Sequence, residues 1–215
     1  GNGVYRSRDG GRSWQRMGLG ASEHIGRILV HPKDGNVVLV AAEGPLWSAR
    51  ALLDDPTMIL RIHRAYVAAG AEVLTANTFR TQARALARGG LGERAAELTQ
   101  IAIEVARRAV GHTGFVAGSM APLEDCWQPE LAPDDVALAR EHAEHASNLA
   151  CAGADLLLVE TMNNIREARA AVQAAKTTGL PVWVSFACDG AARLLSSEPL
   201  EDALAAVGAL EPDLA

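Results

Sequence analysis

Residues Ala152-Gly153-Ala154-Asp155-Leu156-Leu157-Leu158-Val159-Glu160-Thr161-Met162 limit the fold of this chain more than any other stretch. The unbroken apolar run from Leu156 to Val159 has the composition of a strand buried on both faces. It follows a small-residue turn and ends in a carboxylate. The same pattern occurs earlier as Ala69-Gly70-Ala71-Glu72-Val73-Leu74-Thr75-Ala76-Asn77-Thr78-Phe79. Aligned on Ala-Gly-Ala, Asn77 falls on Glu160 and Thr78 on Thr161. Two helix-turn-strand units therefore place polar residues at the carboxyl end of a parallel strand, where α/β folds bind their ligands.

The remaining pattern after residue 48 agrees with this. Asp54-Asp55-Pro56 is a helix start, and the helix over 57–69 is expected to bury Ile59, Ile62, Tyr66 and Val67. Strands are expected at 72–76, 114–118, 155–159 and 181–187, with helices over 93–110, from Pro133-Asp134-Asp135 to about Ala152, over 165–178 and over 200–210. Glu211-Pro212-Asp213-Leu214-Ala215 reads as a turn entering a further strand. This alternation predicts an α/β fold, a partial (β/α)8 TIM barrel. Residues 1–48 read differently, as short strands separated by Gly-rich turns, which predicts a short antiparallel β segment before the barrel.

Acidic residues exceed basic ones, 26 to 20, and the formal net charge of -6 argues against a general nucleic-acid binder. No apolar run reaches membrane-spanning length, so no membrane partner is expected. Cys126, Cys151 and Cys188 are scattered without a Cys-x-x-Cys pair, which favours a reduced, cytoplasmic setting over a disulfide framework.

Two resemblances follow. Ser7-Arg8-Asp9-Gly10-Gly11-Arg12-Ser13-Trp14 resembles the Asp-box of sialidase-like and sortilin-like β-propellers. It covers one blade, and Asp9 and Trp14 are read as structural. From about residue 44 to 215 the chain resembles the homocysteine S-methyltransferase family. The resemblance is carried by Gly44-Pro45-Leu46-Trp47-Ser48-Ala49, His63-Arg64-Ala65-Tyr66, Thr75-Ala76-Asn77-Thr78-Phe79, Val116-Ala117-Gly118-Ser119-Met120-Ala121-Pro122, the stretch through Glu160-Thr161-Met162, and Pro181-Val182-Trp183-Val184-Ser185-Phe186. The two resemblances meet at Gly44-Pro45-Leu46-Trp47-Ser48, which points to a fused or misassembled reading frame.

The second resemblance implies a barrel that moves a methyl group from S-methylmethionine, betaine or a methylfolate to homocysteine, giving methionine. It implies that Glu160 receives the substrate's amino group, that Asn77 and Thr78 line the homocysteine pocket, and that Ser119 donates to the substrate carboxylate or caps its loop. Family members hold zinc through a Cys after the sixth strand and a Cys pair near the carboxyl end. None of the three cysteines here matches those positions, so the zinc ligands are expected to be missing and the chain alone inactive. Open barrel edges would favour self-association. The alternatives are a non-enzymatic β-propeller-related binding protein and an interaction fragment. His63 reads as structural, and His142 and His145 as part of a solvated helix face. Cys151 reads as helix packing and Cys126 as a loop residue, while Trp127 could cover the pocket or pack. Ser197 stands where the family carries Gly, which puts the turn before Glu198 in question.

Overall fold

The computed structural model describes residues 3–19, 24–31, 34–43 and 46–214. Its contacts divide the chain into two compact units, residues 1–47 and 48–215. The first holds two antiparallel pairs: β1 (Val4–Arg6) with β2 (Gln15–Gly18), and β3 (His24–His31) with β4 (Asp34–Glu43). The β1–β2 turn is braced by Asp9, which accepts from the Ser13 amide at 2.9 Å, the Ser13 hydroxyl at 2.6 Å and the Ser7 hydroxyl at 2.8 Å. Trp14 is 63% exposed, and its indole N–H donates to the Gly11 carbonyl.

The second unit runs α1 (Arg50–Asp54), α2 (Pro56–Ala68), β5 (Val73–Thr75), α3 (Ala83–Ala87), α4 (Ala95–Val110), β6 (Phe115–Met120), α5 (Asp135–Cys151), β7 (Leu156–Met162), α6 (Ile165–Lys176), β8 (Val182–Phe186) and α7 (Leu200–Gly208). Strands β5-β6-β7-β8 form one parallel sheet in chain order. Beyond β8, Leu214 lies parallel to Trp183 and its carbonyl accepts from the Val184 amide at 2.8 Å.

Three of the helices, α2, α5 and α6, start where a side chain satisfies a free amide of the first turn. Asp55, Asp134 and Asn164 accept from Met58, Ala137 and Glu167 respectively. The repeated Ala-Gly-Ala has a backbone cause: Gly70 and Gly153 have φ of +100° and +90°, a conformation that glycine adopts without steric cost and that turns each helix into the next strand.

Leu74, Val116, Leu157, Val159, Val182 and Val184 project to one face of the sheet and join Ile103, Ala106, Leu149, Ala171 and Val172 of the helices in one core. Side chains alternate along a strand, so Ser119 and Glu160 project to the opposite face.

Several expectations need correction. In α2 the buried residues are Ile59, Leu60 and His63, whereas Ile62 and Tyr66 are exposed. His142 and His145 are not solvated; both are buried on the core face of α5 with Leu138, Ala146 and Leu149. Cys151 is exposed and not packed, whereas Cys126 lies in the β6–α5 loop as expected and is buried there. The turn before Glu198 does form, with Ser197 at φ +71°.

Candidate functional site

The candidate residues Asn77, Thr78, Ser119 and Glu160 lie at or just past the carboxyl ends of β5, β6 and β7. Between Val159↔Val184 and Met162↔Phe186, Glu160 and Thr161 of β7 face a single residue, Ser185, of β8. This bulge, with Thr161 at φ +59°, redirects the strand end. A β-branched residue in that conformation is an uncommon backbone choice, of the kind that collects at functional sites. Glu160 is left partly buried at the bulge.

Ser119 on the neighbouring strand is fully buried, and its hydroxyl donates to Glu160 Oε1 at 2.5 Å. The Ser119 peptide is itself held. Strand β5 stops pairing after Thr75↔Ala117, and beyond it the Thr78 hydroxyl takes the place of a strand partner. Thr78 Oγ1 accepts from the Ser119 amide at 2.8 Å and donates to the Ser119 carbonyl at 3.0 Å. Thr78 is fully buried and further fixed by Thr81, whose hydroxyl donates to its carbonyl. Thr78, Ser119 and Glu160 thus form one connected network. Asn77 is turned away from it, its side-chain amide donating to the Ser48 carbonyl at 2.9 Å.

Behind these strands, α5 and α6 supply groups that the sequence reading assigned to solvent or did not single out. His145 Nε2 lies 3.2 Å from the Ser119 carbonyl oxygen. His142 Nε2 lies 3.2 Å from Glu167 Oε1, which also accepts from the Leu123 amide at 2.7 Å. These bonds fix the β6–α5 loop beside the site. Burial lowers the pKa of His145 to about 4, and burial also lowers that of His63. The signal was present in the sequence: both α5 histidines share the helical period of Leu138 and Leu149.

A groove of about 590 Å³ lies elsewhere, lined by α3, α4 and α5. Among the charged groups that line it, Arg84 pairs with Glu141 and Glu124, and Arg140 with Glu141. Among the described residues, no three His, Cys, Asp or Glu groups are placed to hold a metal ion. Cys188 is exposed past the end of β8, without such companions. The described residues therefore offer no ligand set for a resident zinc ion. Among the described residues no helix is long and apolar enough to cross a membrane.

The homocysteine S-methyltransferase family model matches residues 35–215. The match begins inside β4, earlier than the resemblance read from about residue 44. The Escherichia coli homocysteine S-methyltransferase is 31% identical over 179 residues, covering 74% of this chain and 57% of that protein. The Arabidopsis thaliana homocysteine S-methyltransferase 1 is 30% identical over 189 residues, 76% of this chain and 58% of that protein. The methionine synthase of Mycobacterium leprae is 28% identical over 172 residues, which are 74% of this chain and 14% of that protein. The crystal structure of the Escherichia coli homocysteine methyltransferase MmuM in its metallated form superposes with a TM-score of 0.69 at 28% identity, covering 78% of this chain and 64% of that one. The chain thus spans little more than half the length of the curated homocysteine S-methyltransferases it matches. It belongs to the homocysteine S-methyltransferase family.

Proposed function

We propose that the unit from residue 48 to 215 binds the amino-acid end of homocysteine, as the substrate-recognition part of a homocysteine S-methyltransferase. The observation that carries this reading is the placement of Glu160. A carboxylate sits on a strand-end bulge with one oxygen fixed by a buried hydroxyl, leaving its second oxygen to receive an ammonium group. Asn77 bounds the same strand-end region, and Thr78 and Ser119 hold the carboxylate's support. The methyl donor would be of the S-methylmethionine, betaine or methylfolate type, and the product methionine.

Because the described residues do not fit zinc, no step is assigned to a metal. The chain alone is expected to bind the substrate without activating its sulfur. The two compact units are read as separate domains. The hairpins around Asp9 are assigned no part in the chemistry.

Calorimetric titration with L-homocysteine tests the reading. Glu160→Gln keeps the shape but loses the charge, and should weaken binding about 30-fold, the equivalent of roughly 2 kcal/mol for a lost charge-assisted contact. Methionine should not form when a methyl donor is added to the same sample. Equal affinity in the variant, or methionine production by the wild-type chain, would overturn the corresponding half of the proposal.

A further inference from the structure

We propose that His145 is a positioning residue for Glu160, acting through the Ser119 peptide from the helix side of the sheet. This rests on the reading that Glu160 receives the substrate's ammonium group. The Ser119 side chain reaches Glu160 on one face of the sheet, while the Ser119 backbone is gripped from the other. A carbonyl oxygen can only accept, so the contact at 3.2 Å requires the proton of His145 to lie on Nε2. Burial keeps the ring neutral at pH 7, and a neutral imidazole has one N–H to give. His145 gives it to Ser119.

The remaining nitrogen, Nδ1, is buried without a hydrogen-bond partner among the described residues. An apolar side chain would fill the same space without that cost. What a histidine supplies and a leucine does not is a donor aimed at the Ser119 carbonyl. That carbonyl needs one because β5 has already diverged and, among the described residues, only the Thr78 hydroxyl reaches it from the strand side. With both donors in place the Ser119 peptide is held on two sides, and its hydroxyl is fixed toward Glu160 Oε1. With the imidazole removed, the Ser119 carbonyl keeps the Thr78 hydroxyl alone, and the oxygen of the carboxylate is held less firmly. The effect reaches the site through backbone, without His145 approaching the substrate.

The test compares His145→Leu and His145→Gln with the wild-type chain and Glu160→Gln, by homocysteine titration and thermal unfolding. His145→Leu should bind homocysteine about tenfold more weakly, as expected for one lost donor, with little change in Tm. In His145→Gln the amide nitrogen takes the place of Nε2 and should return affinity to within about threefold of wild type. Wild-type affinity in His145→Leu, or equal weakness in the two His145 variants, would overturn the positioning role. So would a large loss of Tm with unchanged affinity, which would assign the residue to packing alone. If the wild-type chain does not bind homocysteine, or Glu160→Gln binds as well as wild type, the substrate reading itself fails, and the two failures are told apart.

Discussion

The two units of this chain keep their shape by different means. The β1–β2 turn rests on hydrogen bonds between residues no more than four apart: Ser7 to Asp9, Gly11 to Ser7 and Ser13 to Asp9. Strand β2 is exposed along its whole length. In the second unit the decisive contacts join residues far apart in sequence, such as Thr78 with Ser119 and His142 with Glu167, and the core draws on every strand of the parallel sheet. Local bonds set a turn geometry but exclude little water, whereas burial of apolar area supplies most of the stabilisation. A chemical site that needs carboxylates and hydroxyls held against water can be built only in the second setting.

The largest expected effect breaks the comparison at its strongest point. Leu157 is fully buried in the centre of the sheet, and Leu157→Ala should destabilise the second unit by about 2–5 kcal/mol. At about 2–4 °C per kcal/mol for a unit of this size, the main thermal transition should fall by roughly 4–20 °C. Asp9→Ala should leave that transition in place and change only the spectroscopic signature of the hairpin. Calorimetry of both variants decides. Equal shifts would mean that the units do not unfold separately.

The next effect separates the units by pH. His145 and His63 have pKa values below the ordinary 6.5, His145 at about 4, because burial penalises the charged ring. In the unfolded chain they take up protons near pH 6.5, so the unfolded state binds more protons below that value and the second unit loses stability as pH falls. The loss begins near pH 6.5 and is complete near pH 4, and for His145 is on the order of 3 kcal/mol. Asp9 behaves differently. Hydrogen bonds from Ser13 and Ser7 lower its pKa to about 2. Its contribution to the turn is present above pH 4 and disappears only as pH falls toward 2. Unfolding followed by tryptophan fluorescence and near-UV circular dichroism across pH 2–7 should show two windows. A second unit equally stable at pH 4.5 and 7 would contradict the buried, neutral state of His145.

Much of the second unit was legible because its signals are local. The apolar run before Glu160, the acidic caps at Asp55 and Asp134, and the Ala-Gly-Ala turns each follow from the residues that form them. The alignment of Asn77 with Glu160 and of Thr78 with Thr161 predicts equivalent places, whereas Glu160 and Thr161 lie within β7 at its bulge and Asn77 and Thr78 lie past the end of β5. It could not show where their side chains point. Thr78 turns inward because β5 stops early and leaves Ser119 without a strand partner on that side, while Thr161 is displaced by a bulge in the pairing with β8. The two α5 histidines were read as solvated because histidine is polar. Their partners, Ser119 and Glu167, lie 26 and 25 residues away along the chain, out of reach of a local pattern. The exposed faces of Ile62 and Tyr66 were missed for a related reason: an apolar stripe gives a helix's period but not which neighbours are present to cover it.

The smallest expected effect concerns one exposed residue near the site. Ser197 adopts φ +71°, which a side chain makes unfavourable by about 1–2 kcal/mol and glycine does not. The turn nevertheless closes, with the Ser197 amide donating to the Leu194 carbonyl at 2.8 Å. It delivers Glu198, whose Oε2 accepts from the first amide of α6, Ile165, at 3.0 Å and from the Ser196 hydroxyl at 2.6 Å. The carboxylate therefore satisfies a free helix amide and lies at the positive end of α6, in the helix that also carries Glu167. Ser197→Gly relieves the backbone without removing any of these bonds. Its gain is partly offset by the extra freedom of glycine in the unfolded chain. A net stabilisation of about 0.5–1 kcal/mol is expected, read as a rise of roughly 1–4 °C in Tm. Gly153→Ala imposes the opposite change at φ +90° with open space around the added carbon, so it isolates the backbone cost and should lower Tm. A lower Tm in Ser197→Gly would mean that the serine side chain supports the turn in a way its hydrogen bonds do not explain, and would count against backbone strain as the cost of this turn.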